Sequence, residues 1–178
     1  MPGPVFLRGE EVTLHPIEED DLPFLHAKGN HHEVRRLLRN EVPKSLAEYE
    51  HEHEENPGGE DGGVWLLICV DDEPVGDIGI FRVDQHDGTA SIGCSIAPEY
   101  HGKGYATDAA RQVVTHAFDA LRLHRLSSYV YAENAPSMRV MEKLGFTEEG
   151  VLVGEGYVEG ERMDVHLFGL LASEWGGA

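Results

Sequence analysis

Residues 92–110 read Ile-Gly-Cys-Ser-Ile-Ala-Pro-Glu-Tyr-His-Gly-Lys-Gly-Tyr-Ala-Thr-Asp-Ala-Ala: a strand-like run stops at Pro98, and a helix opens after a turn that holds Gly102 and Gly104. Glycine takes positive φ at little cost and leaves no Cβ to block a ligand. The helix is marked by Ala106, Ala109, Ala110, Val113, Val114, Ala117 and Leu121, which share one face at a 3.6-residue period. Its first turn aims unpaired N–H groups and the positive end of the helix dipole at the loop, a setting for an anion and most often a phosphate. Lys103 supplies the one full positive charge between Arg82 and Arg111. The alternative reading is a tight turn that only needs small residues. Two common phosphate loops are excluded. A Walker A loop needs Ser or Thr after Gly-Lys, whereas Lys103 precedes Gly104, and a dinucleotide fingerprint needs a third glycine where Thr107 stands.

The stretch His101-Gly102-Lys103-Gly104-Tyr105-Ala106 resembles the acetyl-coenzyme A loop of the GCN5-related N-acetyltransferases (GNAT), whose pattern is Gln/Arg-x-x-Gly-x-Gly/Ala. It matches at Gly104 and Ala106 and departs at His101, which still contributes a backbone N–H. About thirty residues on, the run from Ala132 to Phe146 is similar to the family's other signature, a strand leading through Asn into a short helix that ends at Gly-Phe. The residues read the same way unaided. Residues 125–131 form a strand, Asn134 is an N-cap, Pro136 suits the first turn, Met138, Met141 and Leu144 face inward, and Gly145 is the stop.

The resemblance implies an α+β fold. Its expected centre is one mixed, mostly antiparallel sheet of about six to seven strands, flanked by helices and splayed where acetyl-coenzyme A enters. It also implies direct acetyl transfer to a primary amine, with residues 102–106 holding the pyrophosphate. His101, Gly102, Lys103, Gly104, Tyr105, Ala106, Ile96, Ala97, Asn134 and Ser137 are then the expected cofactor contacts. The Ile96 N–H is assigned to the thioester oxygen. Many members carry a Tyr four residues before the Gly of Gly-Phe as general acid; here that position is Met141. Ser137 instead follows an Asn-x-x-Ser pattern, as in the branch resembling the ribosomal-protein N-terminal acetyltransferases, where the Ser assists the coenzyme A sulfur. Glu155 is the named base candidate, and Ser91 stands where relatives often have Glu. For Ser137 an ordinary first-turn residue, for Asn134 pure capping and for Glu155 a surface carboxylate are the competing readings. A protein N-terminal α-amine is the leading acceptor, with a small-molecule amine such as a polyamine, amino acid or antibiotic as alternative. A non-catalytic acetyl-coenzyme A sensor stays open as a reading of another class.

Composition narrows this further. A chain of 178 residues with 40% hydrophobic content fits one domain, residues 1–178 with an ordered core at about 8–172. Its longest apolar run, residues 64–70, is far short of the ~20 residues that span a membrane. The first residues have no export pattern, so a cytoplasmic protein is expected, as a monomer or homodimer. Cys69 and Cys94 read as thiols in strands, with no metal site. The net charge of −19, with four lysines against ten arginines, disfavours nucleic-acid binding. The even spread of the acids suits a salt-rich cytosol, where charges are screened; an acidic face that attracts basic substrates is the rival.

Along the chain, strands are expected at 11–16, 64–70, 74–83, 89–97, 125–131, 147–153 and 163–170. Helices are expected at 20–29, capped by Asp20 or Asp21, at 32–40, and at 45–55 with a Ser45–Glu48 capping box. Residues 56–63 read as a loop. His51 and His53, two apart on a helix, point away from each other and cannot converge on a metal.

Overall fold

The computed structural model describes residues 2–38, 42–56 and 62–177. Its strands are β1 (Leu7–Arg8), β2 (Thr13–Pro16), β3 (Val64–Val70), β4 (Glu73–Asp84), β5 (Thr89–Ile96), β6 (Arg125–Tyr131), β7 (Thr147–Val158) and β8 (Glu161–Leu171). Helices α1 (Leu22–Asn30), α2 (His32–Arg35), α3 (Leu46–Glu55), α4 (Tyr105–Asp119) and α5 (Ala135–Lys143) flank the sheet. The strands form one sheet in the order β1-β2-β3-β4-β5-β6-β8-β7. Every adjacent pair is antiparallel except β5 and β6, which run parallel.

Alternation along the strands builds a core on each face of the sheet, and a third cluster of Tyr131, Val158 and Val165 lies at the β6–β8–β7 end. On one face Leu66, Ile68, Ile78, Ile80, Ile92 and Ile96 meet α4, whose Ala109, Ala110, Val113, Val114 and Ala117 are at most 1% exposed. Small side chains let this helix lie close to the sheet. On the other face Leu67 and Cys69 pack on Leu22 and Leu25 of α1. Leu121 was expected on the α4 stripe but is exposed; the helix ends at Asp119, and Leu123 turns back into the core instead.

Asp108, in the first turn of α4, is buried. Its carboxylate accepts hydrogen bonds from the backbone N–H groups of Glu10 (3.1 Å), Glu11 (2.7 Å) and Val12 (3.1 Å), and so clamps the β1–β2 turn to the helix. Gly9 is required there, because a Cβ would meet the carboxylate oxygens at 2.5 Å.

Several expectations shift in detail. The sheet gains the short β1, and β7 runs to Val158 rather than 153, with register shifts between Glu148 and Gly150 and between Leu152 and Gly156. These bulges break the period-2 pattern that marks a strand in sequence. The helix expected at 32–40 covers only His32–Arg35; part of it, and most of the loop at 56–63, lies outside the described residues. Asp21 stands at the N-cap position of α1 but makes no capping hydrogen bond to it; its carboxylate accepts the N–H of Glu18 (3.0 Å) across a short 3-10 turn before the helix. The Ser45–Glu48 capping box is present, and its hydrogen bonds hold the Glu48 carboxyl below the usual range. Among the described residues no helix is long and apolar enough to cross a membrane.

Candidate active site

The site follows from one interruption in the sheet. β5 pairs with β4 from Thr89 to Ile96, but with β6 only from Thr89 to Ser91 against Arg125 to Ser127. Beyond Ser91 the two parallel strands separate, and their carboxyl ends open together. In antiparallel pairing, successive residues direct their N–H and C=O groups to opposite neighbours. Ala97 donates to the Val75 carbonyl at 2.9 Å, so by register Ser95 and Gly93 also face β4. The peptide groups of Cys94 and Ile96 therefore face the split. The sequence reading named the Ile96 N–H alone; the Cys94 N–H has the same aspect, which only the register reveals.

On the β5 side the glycine turn follows. Gly102 (φ 77°) and Gly104 (φ 88°) are left-handed, and a Cβ on either would meet no protein atom within 4 Å. Gly104 is the N-cap of α4 and has no side chain to bond the first N–H groups, so those of Tyr105 and Ala106 are left for a ligand. Thr107 and Asp108 already donate to the Gly104 carbonyl. Lys103 lies over the rings of Tyr100 (5.3 Å) and Tyr105 (6.0 Å), a charge held above the turn. His101 does more than its backbone suggested: its ring nitrogen Nε2 bonds the Ile96 carbonyl at 2.8 Å, linking the turn to the end of β5. Ala97 is buried just before Pro98.

On the β6 side, Asn134 caps α5 by accepting the Ser137 N–H at 3.2 Å, and Ser137 is half-buried in the first turn. Gly145 (φ 82°) ends α5, and Met141 is buried beneath it. The structure thus brings residues 94–97, 101–106, 134 and 137 to the same carboxyl end of β5 and β6. Glu155 is not among them. It is exposed on β7, which is separated from the split by β8 and β6.

The opposite face of the sheet carries a polar cluster that sequence reasoning missed. Lys28 of α1, buried, contacts the Asp77 carboxylate of β4 and donates to Ser95 Oγ of β5 at 2.8 Å. Trp65 Nε1 donates to the second Asp77 oxygen at 2.7 Å. Burial pushes the Lys28 ammonium down to about 8. Nearer the rim, Arg36 pairs with Glu133 and with Glu159 (3.6 Å), and His32 Nε2 meets Glu159 at 2.7 Å. His32 and Arg36 hold the Glu159 carboxyl below its usual range. Burial pushes both thiols, Cys69 and Cys94, up to about 12, so neither is a thiolate at neutral pH.

The profile of the acetyltransferase (GNAT) domain matches residues 11–147, and the chain belongs to that family. It uses acetyl-coenzyme A as co-substrate. An uncharacterized N-acetyltransferase of Bacillus licheniformis, p20, is 33% identical over 112 residues; the match spans 63% of this chain and only 63% of that relative's length. Spermidine N(1)-acetyltransferase of Escherichia coli K12 is 29% identical over 150 residues, 84% of this chain and 80% of the relative. The crystal structure of spermidine N-acetyltransferase from Vibrio cholerae, in complex with CoA and spermine, superposes with a TM-score of 0.86. It is 26% identical and covers 92% of this chain and 97% of that one.

Proposed function

We propose that this N-acetyltransferase acetylates a primary amine of a small cationic acceptor of the polyamine class, by direct attack within a ternary complex. The likeness to the Vibrio enzyme, which runs over nearly the whole of both chains and whose structure holds CoA and spermine, carries this reading. The rim carboxylates Glu133 and Glu159 support it, since they already gather around one internal cation, Arg36. The pyrophosphate lies on residues 102–106, and the pantetheine arm runs along β5 beside Ala97. The thioester oxygen receives the Ile96 N–H, a contact of a kind typically worth ~3–4 kcal/mol. The neutral amine forms the new C–N bond, the C–S bond breaks, and Ser137 donates a hydrogen bond to the departing thiolate. The amine's proton leaves to solvent water.

Ser137→Ala is expected to lower kcat while leaving the KM for acetyl-coenzyme A unchanged, because the hydroxyl assists a charge present only as the sulfur leaves. A raised KM at constant kcat would make Ser137 a binding residue instead.

A protein N-terminal α-amine is the second reading, favoured by the Asn134-x-x-Ser137 arrangement. An α-amine has a pKa of ~7.7–8.0 against ~10.4 for a lysine ε-amine, so it needs less help to become neutral. Thiol release from acetyl-coenzyme A, measured with spermine and with a peptide bearing a free α-amine, separates the two. Faster release with spermine is expected. Preference for the peptide would overturn the polyamine assignment and leave the acetyltransferase standing.

We place the reaction in a salt-rich cytoplasm. Exposed acids are dispersed over residues 18–20, the α3 surface, the β3–β4 turn at residues 71–73 and β7. At low ionic strength their repulsion is unscreened, with a Debye length of ~30 Å at 0.01 M and ~3 Å at 1 M. The melting temperature is expected to rise steadily from low salt to molar KCl. A flat profile with tighter acceptor binding at low salt would point to substrate attraction instead.

A further inference from the structure

The Lys28 cluster has no place in the steps above, yet it sits between α1 and the sheet on the face opposite α4, against the end of β5 that borders the split. A buried ion pair contributes little to stability compared with apolar residues of the same size, so its position calls for another reason. Asp77 is fixed at both oxygens, by Lys28 and by the Trp65 N–H, which leaves the ammonium little freedom. The remaining contact of that ammonium falls on Ser95, between the two residues whose amides face the split. Here β5 has a strand neighbour on one side only, since β6 has already diverged. Its height in the sheet is therefore set by what packs above and below: α4 on one face, and Lys28 on the other.

We infer that Lys28 is a positioning residue for acetyl transfer: through Asp77 and Ser95 it fixes the unsupported end of β5, so that the Cys94 and Ile96 amides are held in place for the thioester oxygen. It acts through the strand and touches neither reactant. The inference rests on the acetyl-transfer reading of the split but not on the acceptor being a polyamine.

Three variants test it. Ser95→Ala removes only the contact to the strand; Ser95→Thr restores a hydroxyl; Lys28→Met combined with Asp77→Leu removes both charges, so that no buried charge is left unpaired. Each is measured for kcat of thiol release with spermine, for slow thiol release into water without amine, for CoA affinity by calorimetry, and for melting temperature. A hydrogen bond to a charged group corresponds to roughly a tenfold effect or more. Ser95→Ala and the double variant are expected to lose about tenfold in kcat with CoA affinity within about twofold of wild type, and Ser95→Thr to recover most of the loss. Wild-type turnover in Ser95→Ala and in the double variant would overturn the inference. So would a loss in kcat matched by an equal loss in CoA affinity. If the wild-type protein ignores spermine, the polyamine reading fails, and the release into water still decides the role of Lys28.

Discussion

Gly104→Val is expected to bind acetyl-coenzyme A roughly a hundredfold more weakly than the wild-type protein, while still folding. Its φ of 88° is a left-handed conformation that a β-branched residue reaches only with strain, on the order of 1–3 kcal/mol. The simplest relief is to rotate the turn, and that rotation moves the Tyr105 and Ala106 N–H groups off the line of α4. A Cβ here meets no protein atom within 4 Å, so packing adds nothing to the backbone strain of the substitution. That empty space is where the pyrophosphate belongs, and the added methyl groups would fill it. Unchanged affinity in a folded Gly104→Val protein, read by calorimetry, would remove the phosphate from this turn.

Asp108→Ala should loosen the β1–β2 turn from α4 and destabilise the fold. Three N–H groups, those of Glu10, Glu11 and Val12, lose their acceptor, and Val12 is 1% exposed. An orphaned buried donor costs about 1–3 kcal/mol, so a total near 3 kcal/mol is expected after partial relaxation toward water. In a chain of this size that lowers the melting temperature by roughly 6–12 °C. Asp108→Asn, which keeps one acceptor oxygen, should fall between the two. A melting temperature within about 2 °C of wild type for Asp108→Ala would show that the β1–β2 turn is held by something else.

The parts of this protein legible in its sequence are those that local chemistry determines. The alanine stripe of α4, the glycines at 102 and 104, the Asn134 cap, the Gly145 stop and the Ser45–Glu48 box each depend on residues within one or two turns of one another. What escaped depends on partners far apart in the chain. Lys28 lies 49 residues from Asp77 and 67 from Ser95, and a lone lysine in a short helix carries no sign that it will be buried. The clamp of Asp108 on residues 10–12 spans nearly a hundred positions, while its sequence reads as an ordinary first-turn acid. Bulges interrupt the alternation of β7, so only its first half reads as a strand, and the apolar stripe of α4 continues to Leu121, past the last helical turn. The aspect of the Cys94 amide follows only from the pairing of β5 with β4. Glu155 shows the reverse: a family likeness suggested a role that the strand order leaves at a distance from the split.

The central claim is that acetyl-coenzyme A occupies the opening between β5 and β6. Backbone amide NMR, with the cofactor titrated into the labelled protein, tests this most directly. The account predicts that the amides of Cys94, Ile96, Gly102, Lys103, Gly104, Tyr105 and Ala106 shift first and together, with Asn134 and Ser137 following on the far side of the split. Shifts confined to the β7 edge or to the β3–β4 turn, with those amides unmoved, would contradict it.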